Sequence, residues 1–423
     1  MHRALKKWLP PSIENLSAGW VFLALAGSVS LVLLSIAASQ ILLAAALIGC
    51  AWQIKRPDFR ALMRHPILLP LLAFLLWTIV VAWMSPNALQ SLGVLRKLLV
   101  YLILFLIPAV VREETELTWI YKSVFAVSFI ACMGGLFQFF ADPERDLLHR
   151  ISGFMSHWMT YSGLLMLVFV MLLAYALCFG WRKHKWVIPL ACIIILVLVL
   201  SETRNAWMGA VAGAFIVILL RRRRATLILV VVLLAVYFAM PGKIQQRLQS
   251  GLDPNDPNTR NRIELFETSI RLIKQNPWFG VGPANVNREA LHYRGSKEYP
   301  DWMYQHMHNN VLQIAVERGI PGLALWLWLM IRLAWDALRL YRSRARDSAS
   351  PASREVLMIS AAALGAWAAF LFAGMLEYNF GDSEVLTLFL FIMGAPYARR
   401  QFPIHDSRFP IPDSRFPTKY CLP

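Results

Sequence analysis

Apolar residues fall into runs of close to 20 along almost the whole chain, separated by short polar stretches. A helix of that length crosses a hydrocarbon core of about 30 Å. The runs lie near residues 18–37, 39–54, 66–84, 94–111, 119–140, 160–180, 186–202, 206–220, 225–240, 320–338, 356–376 and 383–397. They predict an all-α polytopic integral membrane protein of about twelve transmembrane helices. The first run follows Arg3, Lys6 and Lys7 as in a signal peptide, but its length and the second run directly behind it predict a retained anchor.

One connection breaks the pattern: residues 241–319, about 80 polar-rich positions, far exceed an ordinary loop. Trp278, Phe279, Tyr293, Tyr299, Trp302 and Tyr304 supply enough bulk to argue against disorder. Ile263, Phe266, Ile270 and Ile273 recur at helical spacing, Asn261 with Glu264 fits a capping box, and Asn276-Pro277 stops the pattern. An amphipathic helix lying on the outer face is expected. The chain thus divides into an N-terminal transmembrane bundle of about nine helices over 1–240, the loop 241–319, further transmembrane helices over 320–397 and a tail over 398–423. In the tail Asp406-Ser-Arg-Phe-Pro recurs as Asp413-Ser-Arg-Phe-Pro, a low-complexity stretch to which no function is assigned.

Composition sharpens this picture. Of 423 residues 58% are hydrophobic and 16% charged, against roughly 45–50% and 25% in soluble domains, which excludes an ordinary soluble enzyme. The 42 Lys and Arg against 25 Asp and Glu leave +17. That surplus sits in short loops, so it reads as topology and not as nucleic-acid binding. Basic clusters occur at Arg3, Lys6 and Lys7, at Lys55, Arg56, Arg60 and Arg64, at 182–185, at 221–224 and between Arg339 and Arg354, whereas loops 84–92 and 377–384 carry none. The positive-inside rule then places both termini in the cytoplasm and 241–319 in the periplasm. The acidic loop with Arg112, Glu113, Glu114 and Glu116 fits it least. None of the five cysteines forms a CxxC pair, so neither a disulfide framework nor a zinc site is supported.

Several residues could carry chemistry. Arg204 interrupts two apolar runs in Ser201-Glu-Thr-Arg-Asn-Ala-Trp207, as a functional ionisable residue or as a snorkelling partner of Glu202. Arg262 is expected to open the loop helix, where backbone N–H groups already favour an anion, with Arg260 as its alternate. Phe279-Gly-Val-Gly-Pro283 either approaches a phosphate or simply turns. His306 and His308 read as surface histidines, a metal pair or a general base, and their i, i+2 spacing lacks a third His or Cys nearby except His292. Arg96 and Lys97 lie near the outer end of the fourth run, facing a polar cavity or reaching for lipid phosphate.

Taken in order, Glu202-Thr-Arg-Asn-Ala-Trp207, then Arg262-Ile-Glu-Leu-Phe266 through Asn276-Pro-Trp-Phe-Gly-Val-Gly282, then His308-Asn-Asn-Val-Leu-Gln313 with Glu317-Arg-Gly-Ile-Pro-Gly-Leu323, resemble the bacterial O-antigen ligase and O-antigen polymerase family. The resemblance covers about residues 200–330 and extends to the architecture of about twelve helices with one late periplasmic loop. It implies an inner-membrane, metal- and cofactor-independent glycosyltransferase acting at the periplasmic face. Its partners would be an undecaprenyl-diphosphate-linked glycan as donor, a sugar hydroxyl of lipid A-core as acceptor, and membrane lipids. In that reading His308 is the general base, with His306 its alternate, and Arg204 with Arg262 or Arg260 holds the diphosphate, while Arg96 and Lys97 are secondary candidates. A polymerase, joining lipid-linked repeat units, would use the same donor chemistry. A lipid-linked glycan transporter would need the arginines but not a histidine base, and no inverted repeat is visible.

Overall fold

A computed structural model describes residues 16–53, 63–112, 114–141, 150–239, 242–249, 253, 255–295, 299–345 and 350–398. The expected N-terminal anchor's basic flank and the repeat in the tail lie outside these residues, as does the cluster Lys55, Arg56 and Arg60. Among the described residues every regular element is a helix, as a chain with no water to satisfy its backbone requires. Seven helices among the described residues are long and apolar enough to cross a membrane: Ile36–Gln53, Ala88–Val110, Thr115–Ala141, Trp158–Phe179, Arg204–Arg222, Asn310–Ala345 and Pro351–Ala373. Shorter apolar helices stand beside them at Gly19–Leu31, Leu68–Met84, Val187–Leu200 and Ser383–Tyr397. The protein is therefore a multi-pass helical membrane protein.

In chain order the helices are α1 (Leu16–Leu31), α2 (Ile36–Gln53), α3 (Leu68–Met84), α4 (Ala88–Gly93), α5 (Ile103–Val110), α6 (Glu114–Ala141), α7 (Trp158–Phe179), α8 (Val187–Leu200), α9 (Arg204–Arg222), α10 (Ala225–Ala239), α11 (Gly242–Gln249), α12 (Pro257–Gln275), α13 (Val286–Tyr293), α14 (Asn310–Ala345), α15 (Pro351–Ala373) and α16 (Ser383–Gly394). Tight 3-10 turns over Val94–Leu102 join α4 to α5 within a single span. Helices α7 and α15 form the centre: 78% of the spanning window of each is buried, against 22% for α2. Helix α9 packs on both. The small faces of Gly213 and Gly365 let the backbones of α9 and α15 approach as neighbouring membrane helices do.

The sequence expects the tenth span to begin at 320, but α14 starts at Asn310 and is broken at Gly319, whose φ is 69°. Pro321 cannot donate to the helix ladder, and the break frees the carbonyls ahead of it. The Val281 and Gly282 amides donate to Val316 O and Glu317 O at 2.8 and 3.0 Å, while Ile320 N donates to Pro277 O at 2.8 Å. Phe279-Gly-Val-Gly-Pro283 therefore mends a helix break and makes no phosphate cradle. Glycine is obligatory at both contacts: a Cβ on Gly280 would lie 2.4 Å from Val316 O, and one on Gly319 would lie 2.1 Å from Trp278 O.

The loop is a small packed unit. Leu265 and Leu272 of α12, Val286 and Ala290 of α13, Val281, Met303, Tyr304, Met307 and Val316 share one core. The sequence reading of how α12 begins needs correction. Its start is set by Asp256, whose Oδ1 accepts from Thr259 N at 3.2 Å ahead of Pro257, a better pair of start signals than Asn261 with Glu264. Glu264 instead gathers the loop, its Oε1 accepting from Gly295 N at 2.7 Å, Thr268 at 2.9 Å and Tyr304 at 3.2 Å. The helix is two-faced: Ile263 and Phe266 look away from the loop core at 46% and 54% exposure, and the face packed on it is Glu264, Leu265, Thr268, Ser269 and Leu272. The unit docks on the bundle where Trp77 stacks on Phe279 at 5.4 Å and Ser91 donates to Pro283 O at 2.7 Å.

Candidate active site

A cavity of about 570 Å³ opens between the loop unit and the bundle, lined by polar groups that include Lys97, His157, Thr160, Gln305, His306, Arg318, Glu377, Asp382 and Glu384. The segment between α15 and α16 runs along it, held at successive residues. Asn310 N donates to Gly374 O at 2.7 Å, Asn309 Nδ2 to Met375 O at 2.9 Å, and Arg262 Nη2 to Leu376 O at 3.3 Å. Asn310 Nδ2 donates to Asn379 Oδ1 at 2.6 Å and its Oδ1 accepts from Phe380 N at 3.0 Å. Lys97 Nζ donates to Gly381 O at 3.0 Å. Two asparagines following a histidine thus clamp the segment that presents Glu377.

Glu377 is the residue the sequence reading missed. Its Oε2 lies 3.0 Å from His308 Nδ1, while its Oε1 is 3.7 Å from His306 Nδ1, beyond hydrogen-bond reach. Burial raises the carboxyl's pKa, but the hydrogen bond and charge of His308, the charge of His306 and the Tyr378 amide outweigh it and hold the pKa at about 2. Burial, reinforced by His308, lowers His306 to about 4, and its buried Nδ1 has no hydrogen-bond partner. With His306 neutral above that pH, His308 and the Tyr378 amide keep the carboxylate ionised. The rings of the two histidines stand 4.0 Å apart. His308 reaches this place through a left-handed backbone, φ 44°, an uncommon conformation outside glycine and one that clusters at functional sites.

Arg204 and Arg262, far apart in sequence, come within each other's electrostatic reach beside the segment that bears Glu377, and neither lines the cavity. Burial first, then the charge of Arg204, lowers the pKa of the Arg262 guanidinium, with Glu377 and Asp256 opposing. Arg262 lies in the second turn of α12 and does not open it; the helix terminus belongs to Arg204, first residue of α9. The anion-favouring helix N-terminus therefore carries Arg204, while Arg262 comes from the loop unit. Of the remaining candidates, Lys97 lines the cavity, whereas Arg96 and Arg260 are exposed and line no part of it. His306 also lines the cavity, while His308 is not part of the lining and is joined to it through Glu377.

A buried polar chain underlies the histidines. Met307 N donates to Gln313 Oε1 at 2.7 Å, Gln313 Nε2 to Glu317 Oε1 at 2.9 Å, Glu317 pairs with Arg318, and Arg318 Nε donates to Thr78 Oγ1 at 3.2 Å. The sequence quoted Glu317 and Arg318 as motif residues but gave them no part in the site. His306 and His308 lack a third His or Cys nearby in sequence, but folding brings a carboxylate to them. Nitrogen atoms of His306 and His308 and a Glu377 oxygen all lie within 4.8 Å of one another, a set that could hold an ion with water as a fourth ligand.

Comparison with known proteins bears on these residues. Residues 189–327 match the family described as O-antigen ligase. A protein of Rickettsia typhi named "Putative polysaccharide ligase" is 35% identical over 82 residues, 18% of this chain and 20% of its own. One of Rickettsia prowazekii with the same descriptive name is 32% identical over 93 residues, 21% of this chain and 22% of its own. The chain spans about a fifth of the length of the curated relatives it matches. Arg204, Arg262, His306 and His308 fall inside the family match, and Lys97 and Glu377 outside it. Over the segment that carries its arginines and histidines the chain is thus similar to the O-antigen ligases, the family its motifs resemble.

Proposed function

We propose that the protein is a polysaccharide ligase of the bacterial inner membrane, transferring a glycan from undecaprenyl diphosphate to a sugar hydroxyl of lipid A-core. About twelve helices cross the membrane, both termini are cytoplasmic, and the loop 241–319 covers the reaction from the periplasmic side. The acceptor oxygen attacks the anomeric carbon, and the bond from that carbon to the diphosphate oxygen breaks with the electron pair leaving on undecaprenyl diphosphate. The acceptor proton passes to His308. No metal or nucleotide takes part.

The observation that carries this reading is Glu377 bound to His308 Nδ1 one residue beyond the carbonyl that Arg262 holds. A carboxylate on Nδ1 fixes the tautomer whose Nε2 is free to accept a proton, and stabilises the imidazolium formed. His306, kept neutral and weakly basic, is the poorer base. The adjacent guanidiniums supply fixed positive charge where the leaving diphosphate gathers negative charge. Covering the site limits loss of the donor to water. The test is transfer by the purified full-length protein in vesicles containing labelled undecaprenyl-diphosphate-linked glycan and lipid A-core. Label on lipid A-core is expected. Lengthened lipid-linked glycan instead would make the protein a polymerase, and movement of donor across the bilayer without any new glycosidic bond would make it a transporter.

A further inference from the structure

His157 has no part in the mechanism above, yet it stands on the cavity wall. It is the N-cap of α7, in an extended conformation at φ −141° and ψ 139°, and its Nδ1 accepts from Met159 N at 3.2 Å. An imidazole nitrogen that accepts carries no proton, so in the neutral ring the hydrogen resides on Nε2, at the edge away from the helix. The ring is exposed and lines the cavity beside Ser156 and Thr160. Its orientation is fixed from behind, because it stacks on Trp158 at 4.2 Å and Arg150 covers that indole at 5.3 Å.

The surroundings say what such a donor would meet. The charged groups acting on the ring are Glu377 and Asp382, then Arg150 and His308. Thr160, one turn on, donates to Asp382 Oδ2 at 2.5 Å, and Lys97 holds the adjoining Gly381 carbonyl. Beside His157 the wall carries the Thr160 hydroxyl and the carboxylates of Asp382 and Glu384, with Lys97 bonded to a backbone carbonyl, whereas Arg204 and Arg262 act on each other beside Leu376 and line no part of the cavity. A diphosphate is drawn to the guanidiniums and repelled by the carboxylates, which leaves the His157 wall to an uncharged, hydroxyl-bearing sugar.

We infer that His157 is a substrate-binding residue that donates its Nε2–H to an oxygen of the acceptor glycan, at a subsite shared with Thr160 and Asp382. The inference rests on the ligase reading and assigns the acceptor's place within it.

Two substitutions separate this role from capping. Asparagine places its amide oxygen near Nδ1 and is a good N-cap, so His157→Asn keeps the helix start and loses the donor. Glutamine places its amide N–H near Nε2, so His157→Gln keeps the donor and weakens the cap. With full-length protein in vesicles, His157→Asn should raise the KM for lipid A-core about tenfold, the loss of roughly one hydrogen bond. The KM for the lipid-linked donor should not move, and His157→Gln should stay within about threefold of wild type. Unchanged kinetics in His157→Asn with a lowered melting temperature in His157→Gln would make His157 a cap alone, and a raised donor KM would move it to the donor side. Binding of lipid A-core without donor is measured alongside. A wild type that binds lipid A-core but does not transfer refutes the ligase activity, whereas equal binding by wild type and His157→Asn refutes the subsite.

Discussion

Glu377 stands between two histidines of unlike character, and removing its charge should affect each differently. Glu377→Gln preserves volume but leaves His308 Nδ1 without a carboxylate, so kcat should fall by about 10²-fold or more, with the donor KM little changed. Stability provides an independent reading. His306 is lowered from 6.5 to about 4, so below pH 6.5 the unfolded chain binds a proton that the folded chain refuses, and its contribution is lost as pH falls through 4. Glu377 acts in the same direction at lower pH, its contribution present above 4.5 and lost as pH falls through about 2. Melting temperature should therefore drop between pH 6.5 and 4 in wild type and drop less in His306→Asn. Arg204→Lys and Arg262→Lys keep charge but lose the fork, so each should lower transfer substantially and raise the donor KM; normal kinetics in either would reduce that arginine to a structural counterion. A chelator should leave transfer unchanged, and inhibition reversed by added zinc would turn His306, His308 and Glu377 into metal ligands. The arginines and histidines proposed for the site were legible because each sits in a family-like motif: Arg204 at the start of α9, Arg262 within α12, and the histidines just ahead of α14. Glu377 was not: it lies 69 residues past His308 in a short loop, and only folding brings it back.

The broken helix α14 is where local sequence and tertiary need diverge most. Hydropathy found its apolar part from 320 onward but not residues 310–318, because buried Asn310, Gln313, Glu317 and Arg318 look like loop when only polarity is counted. Their polarity is satisfied by one another, by Thr78 and by the segment bearing Glu377. The periodicity of the loop helix α12 marks the face turned away from the loop core, with Ile263 and Phe266, while the face packed on that core contains Glu264, Thr268 and Ser269, which polarity alone does not reveal. Gly319→Ala tests whether the break is required. A methyl group there would meet Trp278 O at 2.1 Å on a residue with φ 69°, so the variant should lose several degrees of melting temperature and most of its transfer, since α14 positions both asparagines. An active and equally stable Gly319→Ala protein would mean that the break can straighten.

At the scale of the whole molecule, the recurring apolar runs made a polytopic helical protein legible before any motif was considered. Among the described residues seven helices of spanning length and four shorter apolar ones carry that reading. The proposed orientation rests on charge asymmetry alone. A reporter active only in the cytoplasm, fused near Gly295, should be silent, and activity there would overturn the periplasmic placement of the loop and of the site beneath it. The molecule joins a lipid-embedded bundle to a compact cover, and the groups proposed for catalysis come from both: Arg204 and Glu377 from the bundle, Arg262 and His308 from the cover. The central claim, that this junction moves a proton from acceptor to His308 while the arginines hold the donor, is tested most directly by His308→Ala in reconstituted vesicles. Donor binding should survive and transfer to lipid A-core should fall by about 10² to 10⁴ or vanish; a folded His308→Ala protein that transfers at near the wild-type rate would contradict it.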